Sequence, residues 1–451
     1  MKKVIRNIVG ILSEKLIGIF PLRFLPLPHV MLEQYFRYKM RKNDFDTVRD
    51  HCIGLSQHPS VSDRIKKISS DYFCKISLDN RPDPLVMNNL KTEYQKKISE
   101  SMDLLASGKN DKAVDLFREA LEIIRIPVAA ITSLVDAFRI IVEGSASSIS
   151  GKECRSSKKI ILSGMYWSGT GALYDFFREF RDVKPLRGEQ RLWKESDYSL
   201  DWGLKNIEKL DDLNFRNYLI RLFLIALTGL AMPRNWQDVL AENIGMNSIK
   251  NDADGKYSSA VCEYINIITN LMENRILDYN SFLSRSVVFT DQVFNALSGD
   301  FNGSILPDNA VHIGDIEAYK FFSNAHLVCV FRDPRSNYAA RYHENERFHR
   351  DPERFIEYYR ETRENFVKKM SGFKDISDTV IEVQFEDFIL SEEYRKELAL
   401  KLGLDPAGWN RQKYFRQHIS EKNVFNYRNF SDHKAIDLIA SSLGEYCYGN
   451  N

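Results

Sequence analysis

The most informative pattern of apolar and polar positions lies between residues 158 and 180, which read K-K-I-I-L-S-G-M-Y-W-S-G-T-G-A-L-Y-D-F-F-R-E-F. The apolar run at 160–162 predicts a short buried strand. Further on, Leu173, Phe176, Phe177 and Phe180 recur at intervals of three and four residues, the spacing of one face of an α-helix. The polar, glycine-containing stretch between them has neither pattern. The segment therefore predicts a strand, a loop and a helix in succession.

The same two patterns recur along the rest of the chain. Apolar residues at helical spacing predict helices at 219–230 and 261–272. Short apolar runs predict buried strands at 287–289, 311–313, 327–331 and 380–385. Short apolar strands that alternate with helices are typical of a mostly parallel sheet covered by helices on both faces. We therefore predict an α/β domain.

The first 150 residues are predicted to form a separate, all-α domain. A chain of 451 residues exceeds the size at which one hydrophobic core usually keeps growing, and the Ser- and Gly-rich stretch 143–157 is typical of a linker. The segment 106–123 resembles half of a tetratricopeptide repeat, although a plain helical hairpin explains it as well. We predict a helical domain at 1–150, with this tetratricopeptide-like segment, and the α/β domain at 158–451.

Charge and cysteine content narrow the expected partners and compartment. The chain carries 63 basic and 62 acidic residues, so it lacks the excess positive charge typical of nucleic-acid-binding proteins. Its 6 cysteines form no C-x-x-C or metal-ligand pattern, which favours reduced thiols in the cytoplasm. The N-terminal helices could pack on their own domain, lie on a membrane surface as a peripheral anchor, or dock a protein partner.

The loop after the first predicted strand has the composition of an anion-binding site. Glycines let the backbone approach a ligand closely, and N–H groups at the start of the next helix attract a negative group. We expect a phosphate or sulfate to contact Gly164, Ser168, Gly169, Thr170 and Gly171.

The same loop counts against an enzyme that hydrolyses ATP. Gly164 and Gly169 have the spacing of a Walker loop, but Thr170 and Gly171 stand where that loop carries Lys and then Ser or Thr. A P-loop nucleotide kinase or NTPase is therefore the weaker enzymatic alternative.

A second candidate phosphate-binding element follows the predicted strand 327–331. The chain continues R-D-P-R-S-N-Y-A-A-R-Y, so Arg332 and Arg335 emerge beyond the carboxyl end of the strand, where ligands of open α/β sheets bind. Guanidinium groups bind phosphate through paired hydrogen bonds. Either arginine taken alone is more often a solvated or salt-bridged residue.

Together these motifs resemble those of the sulfotransferases that use 3′-phosphoadenosine-5′-phosphosulfate (PAPS). Besides S-G-M-Y-W-S-G-T-G-A-L and F-R-D-P-R, the stretch V-I-E-V-Q-F-E-D-F is similar to the family's strand ending in Tyr/Phe-Glu-Asp. The stretch I-S-E-K-N-V-F-N-Y-R-N-F is similar to the family's C-terminal loop near the 3′-phosphate. The resemblance covers four islands between residues 159 and 446. It implies a P-loop-like sulfotransferase fold, PAPS as co-substrate and no metal.

The resemblance also implies roles for individual residues. The first loop, including Trp167, is expected to hold the 5′-phosphosulfate, and Arg332 the 3′-phosphate. Arg335 and Lys422 are further candidates for donor binding.

Two positions depart from the family's pattern. Trp167 stands where many members carry a Lys or Arg that stabilises the leaving oxygen, and Ala340 replaces a serine that binds the 3′-phosphate. Ser336, Arg341 or Lys422 could take the place of that serine.

Glu189 is the predicted general base. Because no histidine occurs between residues 59 and 311, the segment after the anion loop offers only carboxylates to accept the proton of an attacking hydroxyl. Glu189 lies 22 residues after the tryptophan of the loop, the separation found in the heparan-type sulfotransferases that this arrangement resembles. Glu195 and Asp197 are the alternatives. The basic neighbours of Glu189 favour an acidic sugar as the acceptor. We therefore predict sulfuryl transfer to a hydroxyl of a glycan or polysaccharide. The alternative is a non-catalytic binding protein of the same fold.

Overall fold

The computed structural model describes most of the chain after residue 83. The described residues are 84–124, 126–146, 156–165, 167–186, 192–194, 198–228, 249, 251–299, 301–307, 310–314, 316–342, 350–372, 379–410 and 413–449. The chain divides into two compact units, residues 1–90 and 91–451. Apart from the first turns of one helix, the first unit lies outside the described residues, so the architecture below is that of the second.

In the described part of the chain, five strands form one parallel sheet. They are β1 (Lys159–Gly164), β2 (Val183–Leu186), β3 (Ser304–Pro307), β4 (Ala325–Phe331) and β5 (Val380–Gln384). Their order is β2-β3-β1-β4-β5, and each neighbouring pair runs parallel. β1 is the central strand and pairs with β4 along its whole length. The predicted α/β class is confirmed, as are the predicted strands at 160–162, 327–331 and 380–385.

Helices connect these strands and cover both faces of the sheet. The α-helices are α1 (Pro84–Ala106), α2 (Asn110–Ile123), α3 (Val128–Glu143), α4 (Thr170–Phe177), α5 (Leu200–Asn206), α6 (Asp212–Thr228), α7 (Lys256–Glu273), α8 (Tyr279–Ser298), α9 (Pro334–Tyr342), α10 (Pro352–Gly372), α11 (Phe385–Leu390), α12 (Glu392–Lys401), α13 (Gln417–Ser420) and α14 (His433–Ser442). Short 3₁₀ helices lie at Ile207–Lys209, Ile316–Phe321, Pro406–Gly408, Glu421–Asn423, Asn426–Asn429 and Gly444–Tyr446. Among the described helices, none is both long and apolar enough to cross a membrane.

Alternate residues of the central strand enter two different hydrophobic clusters. Ile160 and Leu162 of β1 belong to the cluster beneath α4 and α11, whereas Ile161 belongs to the cluster shared with α6, α7 and α8. All three side chains are at most 2% exposed. Since successive side chains of a strand point to opposite faces, the sheet has helices on both faces. This explains why β1 is a continuous apolar run rather than an alternating one.

One of the predicted strands, 287–289, is wrong. These residues lie in the middle of helix α8. The helix begins with a reciprocal capping box, in which Asp278 accepts a hydrogen bond from the backbone of Ser281 and the Ser281 hydroxyl accepts one from the backbone of Asp278. Phe282 and Phe289 then lie on the buried face of the helix. The capping box and the helical spacing outweigh the strand preference of the β-branched pair at 287–288.

The predicted strand at 311–313 is also wrong. These residues belong to no strand of the sheet. Val311 and Ile313 are nevertheless fully buried, and the carbonyl of Val311 accepts a hydrogen bond of 2.9 Å from the hydroxyl of Ser163 on β1. The apolar run thus predicted burial correctly, but the buried segment is irregular rather than a strand of the sheet.

Helices α2 and α3 share their core with the helices that follow the anion loop. The rings of Phe117 and Phe138 stack at 4.5 Å, and both lie against Phe223 of α6, at 5.7 and 6.2 Å. Residues after 90 therefore pack with the α/β part in one compact unit. The predicted segment 106–123 does contain a helix, but a tetratricopeptide repeat and a domain boundary near residue 150 stay predictions, since residues 1–83 and 147–155 lie outside the described residues.

A buried ion pair fixes the beginning of β1. The Nζ of Lys159 lies 2.6 Å from Oδ1 of Asp291 on α8, and the two side chains are 0% and 7% exposed. The Lys159 ammonium also donates to the carbonyls of Ser157 and Ser323, each at 2.9 Å, and the Ser323 hydroxyl donates to the other carboxylate oxygen of Asp291. The charges are thus paired and hydrogen-bonded, as buried charges must be.

Candidate active site

The loop between β1 and α4 turns too tightly for ordinary side chains at two positions. Gly169 has a φ of 97°, in the left-handed region, and a Cβ there would lie 2.2 Å from the ring of Phe385 on α11. A Cβ on Gly164 would lie 2.1 Å from the hydroxyl oxygen of Ser168. These glycines therefore let the loop fold onto itself and against α11.

Ser168 lies in the middle of this loop and points its hydroxyl into the protein. Its side chain is 1% exposed, and Oγ has no hydrogen-bond partner among the described residues. Buried hydroxyls are normally paired, so an unpaired one in a turn indicates a place for an absent polar group. Backbone N–H groups at the start of α4 also lack partners within the helix, and the turn preceding it changes sign in φ at Gly169, as in anion-binding nests. An anion fits this loop.

Arg332 ties the loop to the C-terminal part of the chain. It follows β4 and is 5% exposed, its guanidinium lying 5.1 Å from the centre of the Phe385 ring. Nη1 donates to the carbonyl of Trp167 at 2.9 Å, Nη2 donates to the carbonyl of Asn423, and Nε has no partner among the described residues. Burial lowers the pKa of Arg332 to about 10, partly offset by Glu386 and Asp333, so the group remains a cation at neutral pH.

Arg335 is engaged in a structural ion pair. Its Nε and Nη2 grip both oxygens of Asp333, at 3.0 and 2.6 Å, and Asp333 is fully buried. The backbone N–H of Tyr448 donates to the same carboxylate, and the phenol of Tyr448 donates to Asp387 at 2.6 Å. A predicted phosphate role for Arg335 therefore competes with this pair, which joins the start of α9 to the C-terminal residues.

Lys422 and Ser336 lie near the same junction. Lys422 is exposed, next to Asn423, and makes no hydrogen bond or ion pair with the described residues. The Ser336 hydroxyl donates to the carbonyl of Val424 at 2.7 Å. Ser336 thus holds the C-terminal segment, and the exposed Lys422 lies two residues before its partner Val424, so a role in donor binding stays a prediction.

Glu386 is a buried carboxyl group beside Arg332 that the sequence reasoning did not single out. One oxygen accepts the backbone N–H of Asp333 at 3.1 Å and the other accepts Nε2 of Gln384 at 2.6 Å. Burial raises the pKa of Glu386 to about 7, against a smaller lowering by these hydrogen bonds. The Phe-Glu-Asp motif that contains it was the available signal, but its burial depends on packing that the motif alone does not encode.

We expect this carboxyl group to make stability depend on pH. Because its pKa is raised in the folded state, its contribution is present below about pH 4.5 and is lost as pH rises through about 7. Glu386→Gln should flatten this fall, which corresponds to about 3 kcal/mol in all. Urea unfolding between pH 5 and 8 measures it, with the exposed Glu382→Gln on β5 as control. An unchanged slope in Glu386→Gln would contradict the assignment.

The predicted general bases lie outside the described residues. This holds for Glu189, Glu195 and Asp197, so their catalytic role stays a prediction. Trp193, in the same stretch of sequence, is a core residue: it is 0% exposed, stacks on Phe294 and donates its Nε1 to Thr290. In the described residues, no group of three or more His, Cys, Asp or Glu side chains is arranged to hold a metal ion.

Two solved structures similar to this chain are mycobacterial sulfotransferases. STF1 from Mycobacterium tuberculosis H37Rv is 12% identical, with 75% of this chain and 98% of that chain covered and a TM-score of 0.29. STF9 from Mycobacterium avium is 11% identical, with 78% of this chain and 95% of that chain covered and a TM-score of 0.32. No protein family profile and no curated protein matches the sequence.

Proposed function

We propose that the protein transfers a sulfuryl group from PAPS to a hydroxyl group of a carbohydrate acceptor. The observation that carries the proposal is a pair of buried groups that have no hydrogen-bond partner in the described part of the chain: the hydroxyl of Ser168 in the loop and the Nε of Arg332 beside it. Arg332 also donates to the carbonyl of Trp167, the residue next to Ser168. The hydroxyl and the helix N–H groups fit a phosphosulfate, and the neighbouring guanidinium fits a second anionic group of the same donor, such as a 3′-phosphate.

Each of these residues has its own role in the reaction. The acceptor oxygen attacks the sulfur, the bond from sulfur to the bridging phosphate oxygen breaks, and 3′-phosphoadenosine-5′-phosphate (PAP) leaves with that electron pair. Ser168, Gly169, Thr170 and Gly171 hold the 5′-phosphosulfate, while Arg332 favours a 3′-phosphorylated donor. As in phosphoryl transfer, most of the catalysis is positioning and charge stabilisation.

The donor assignment is tested by calorimetry with PAP. We expect wild type to bind PAP and Arg332→Lys to bind it at least about 30-fold more weakly, because an ammonium cannot replace the fork of the guanidinium. Arg354→Lys is the matched control, since Arg354 is an exposed arginine, with 63% of its side chain accessible, in an ordinary surface ion pair. Preference for ATP with magnesium over PAP would instead support a P-loop kinase or NTPase, and the absence of nucleotide binding a non-catalytic protein.

The proposed base, Glu189, has a separate test. If its carboxylate accepts the hydroxyl proton, Glu189→Gln should lower transfer of radiolabelled sulfate to a panel of acidic and neutral glycans by about 10²- to 10⁴-fold. PAP affinity should stay unchanged. Glu195→Gln is the control variant from the same segment. Undiminished transfer by Glu189→Gln would reject the base, and loss in Glu195→Gln alone would reassign it.

A further inference from the structure

A second buried arginine lies against the anion loop. Arg341, in the last turn of α9, is 1% exposed. Its guanidinium lies 5.5 Å from the ring centre of Trp167, and 5.4 and 4.8 Å from those of Phe355 and Tyr358. A guanidinium within about 6 Å of an aromatic ring is attracted by the ring, more strongly when both are removed from water.

Trp167 is held in an unusual conformation. Its φ is 60°, in the left-handed region that a bulky residue rarely occupies. Two arginines from the same strand–helix element contact this one residue, Arg332 at its carbonyl and Arg341 at its ring. A strained backbone that neighbouring groups hold in place is a recurrent feature of functional sites. Arg332 therefore holds the backbone, and Arg341 the ring, of the loop residue that stands beside the expected leaving group.

The proposed reaction requires positive charge at this place. As the bond from sulfur to the bridging oxygen breaks, negative charge develops on the phosphate of PAP, and fixed cations stabilise such charge in a site that excludes water. The loop from Gly164 to Gly171 contains no Lys or Arg. A cation must therefore reach it from another element.

We propose that the guanidinium of Arg341 supplies this positive charge. Its contact with the ring of Trp167 places the guanidinium next to the anion loop. The inference rests on the proposed sulfuryl transfer and adds a positioning residue to it. The developing charge on the bridging oxygen is stabilised by a buried guanidinium that lies 5.5 Å from the centre of the indole ring, and no proton moves to or from Arg341 in the step.

The expected size of the effect follows from the charge and its surroundings. A partly compensated charge that acts over several ångströms in a site shielded from water is worth on the order of 2 kcal/mol, or about 30-fold in rate. Because the charge develops only in the transition state, this factor belongs to kcat rather than to donor affinity.

The test separates charge from packing. Arg341→Met should lower kcat about 30-fold and leave PAP affinity within about 3-fold, whereas Arg341→Lys should retain most of kcat. Arg341→Gln keeps a hydrogen-bond donor without the charge and should behave as Arg341→Met. Arg350→Met is the matched control, because its guanidinium lies 5.5 Å from the ring of Tyr342, which is not part of the loop. Trp167→Lys combined with Arg341→Met should recover kcat by placing a cation on the loop itself.

The outcomes are distinguishable from failure of the proposed function. If wild type binds no PAP, the sulfotransferase proposal falls, and this inference with it. If wild type binds PAP and transfers sulfate while Arg341→Met and Arg341→Gln keep full kcat, only the role of Arg341 is wrong. Equal losses in the Lys, Gln and Met variants, or a loss confined to PAP affinity, also overturn it, because they indicate packing or donor binding rather than charge stabilisation.

Discussion

Gly169→Ala is expected to lower the free energy of unfolding by about 2–4 kcal/mol. A left-handed residue with a Cβ costs about 1–2 kcal/mol, and overpacking a filled site costs about 1–3 kcal/mol. Both apply, since Gly169 has a φ of 97° and its added methyl group would lie 2.2 Å from the ring of Phe385. Because the loop must shift to relieve the contact, PAP binding should weaken as well. Urea denaturation measures the first effect and calorimetry the second.

Gly171 provides the matched control within the same loop and helix. A Cβ there meets nothing within 4 Å, and its φ lies outside the left-handed region. Gly171 belongs to the first turn of α4, so alanine should leave stability unchanged or raise it by up to about 1 kcal/mol. The two substitutions are chemically identical, yet only Gly169→Ala should lower the free energy of unfolding. Similar losses at both positions would mean that the loop does not have the described geometry.

Lys159→Met is expected to lower the free energy of unfolding by about 3–5 kcal/mol. It removes one partner of a buried ion pair and leaves the Asp291 carboxylate, which is 7% exposed, without its cation. The loss should appear as an earlier midpoint in urea, with the denaturant dependence unchanged. Replacing both partners, in Lys159→Met with Asp291→Leu, should recover much of the loss, because a well-packed apolar pair often matches a buried ion pair.

An exposed pair of the same chemistry is the control for this prediction. Lys256 and Asp254 lie 2.7 Å apart, but their side chains are 66% and 59% exposed. Lys256→Met should change stability by less than about 1 kcal/mol, because exposed charges are solvated whether or not they pair. Equal effects of Lys159→Met and Lys256→Met would contradict a buried, desolvated pair at the start of β1.

Local patterns in the sequence were sufficient for the anion loop and its two flanking elements. The apolar run of β1, the glycines and the helical spacing of α4 all lie within about twenty consecutive residues, and short-range periodicity encodes such elements well. By contrast, β2 reads V-K-P-L and β3 reads S-I-L-P, four residues each with a proline. These short strands depend on pairing with each other and with β1, so no local pattern reveals them.

Some features of the candidate site could likewise be predicted from local sequence, whereas others depend on tertiary packing. Glycine spacing pointed to the loop, and Arg332 was placed correctly beyond the carboxyl end of a strand. Its bonds to Trp167 and Asn423, which lie 165 and 91 residues away in sequence, could not be deduced, because they depend on how the C-terminal segment packs. Glu386 is buried for the same reason. The contact between Arg341 and the loop tryptophan is likewise a product of tertiary packing.

The position of β1 in the sheet also has a consequence for biosynthesis. It is completed at residue 164, whereas its neighbours β3 and β4 begin at residues 304 and 325. At about 5–20 residues per second, the ribosome needs on the order of ten seconds to deliver the first of them. Throughout that interval a strand with three consecutive aliphatic residues is outside the exit tunnel with both hydrogen-bonding edges unpaired, a condition that favours aggregation. The nascent chain is therefore expected to depend on chaperone binding until the second neighbour of β1 has emerged.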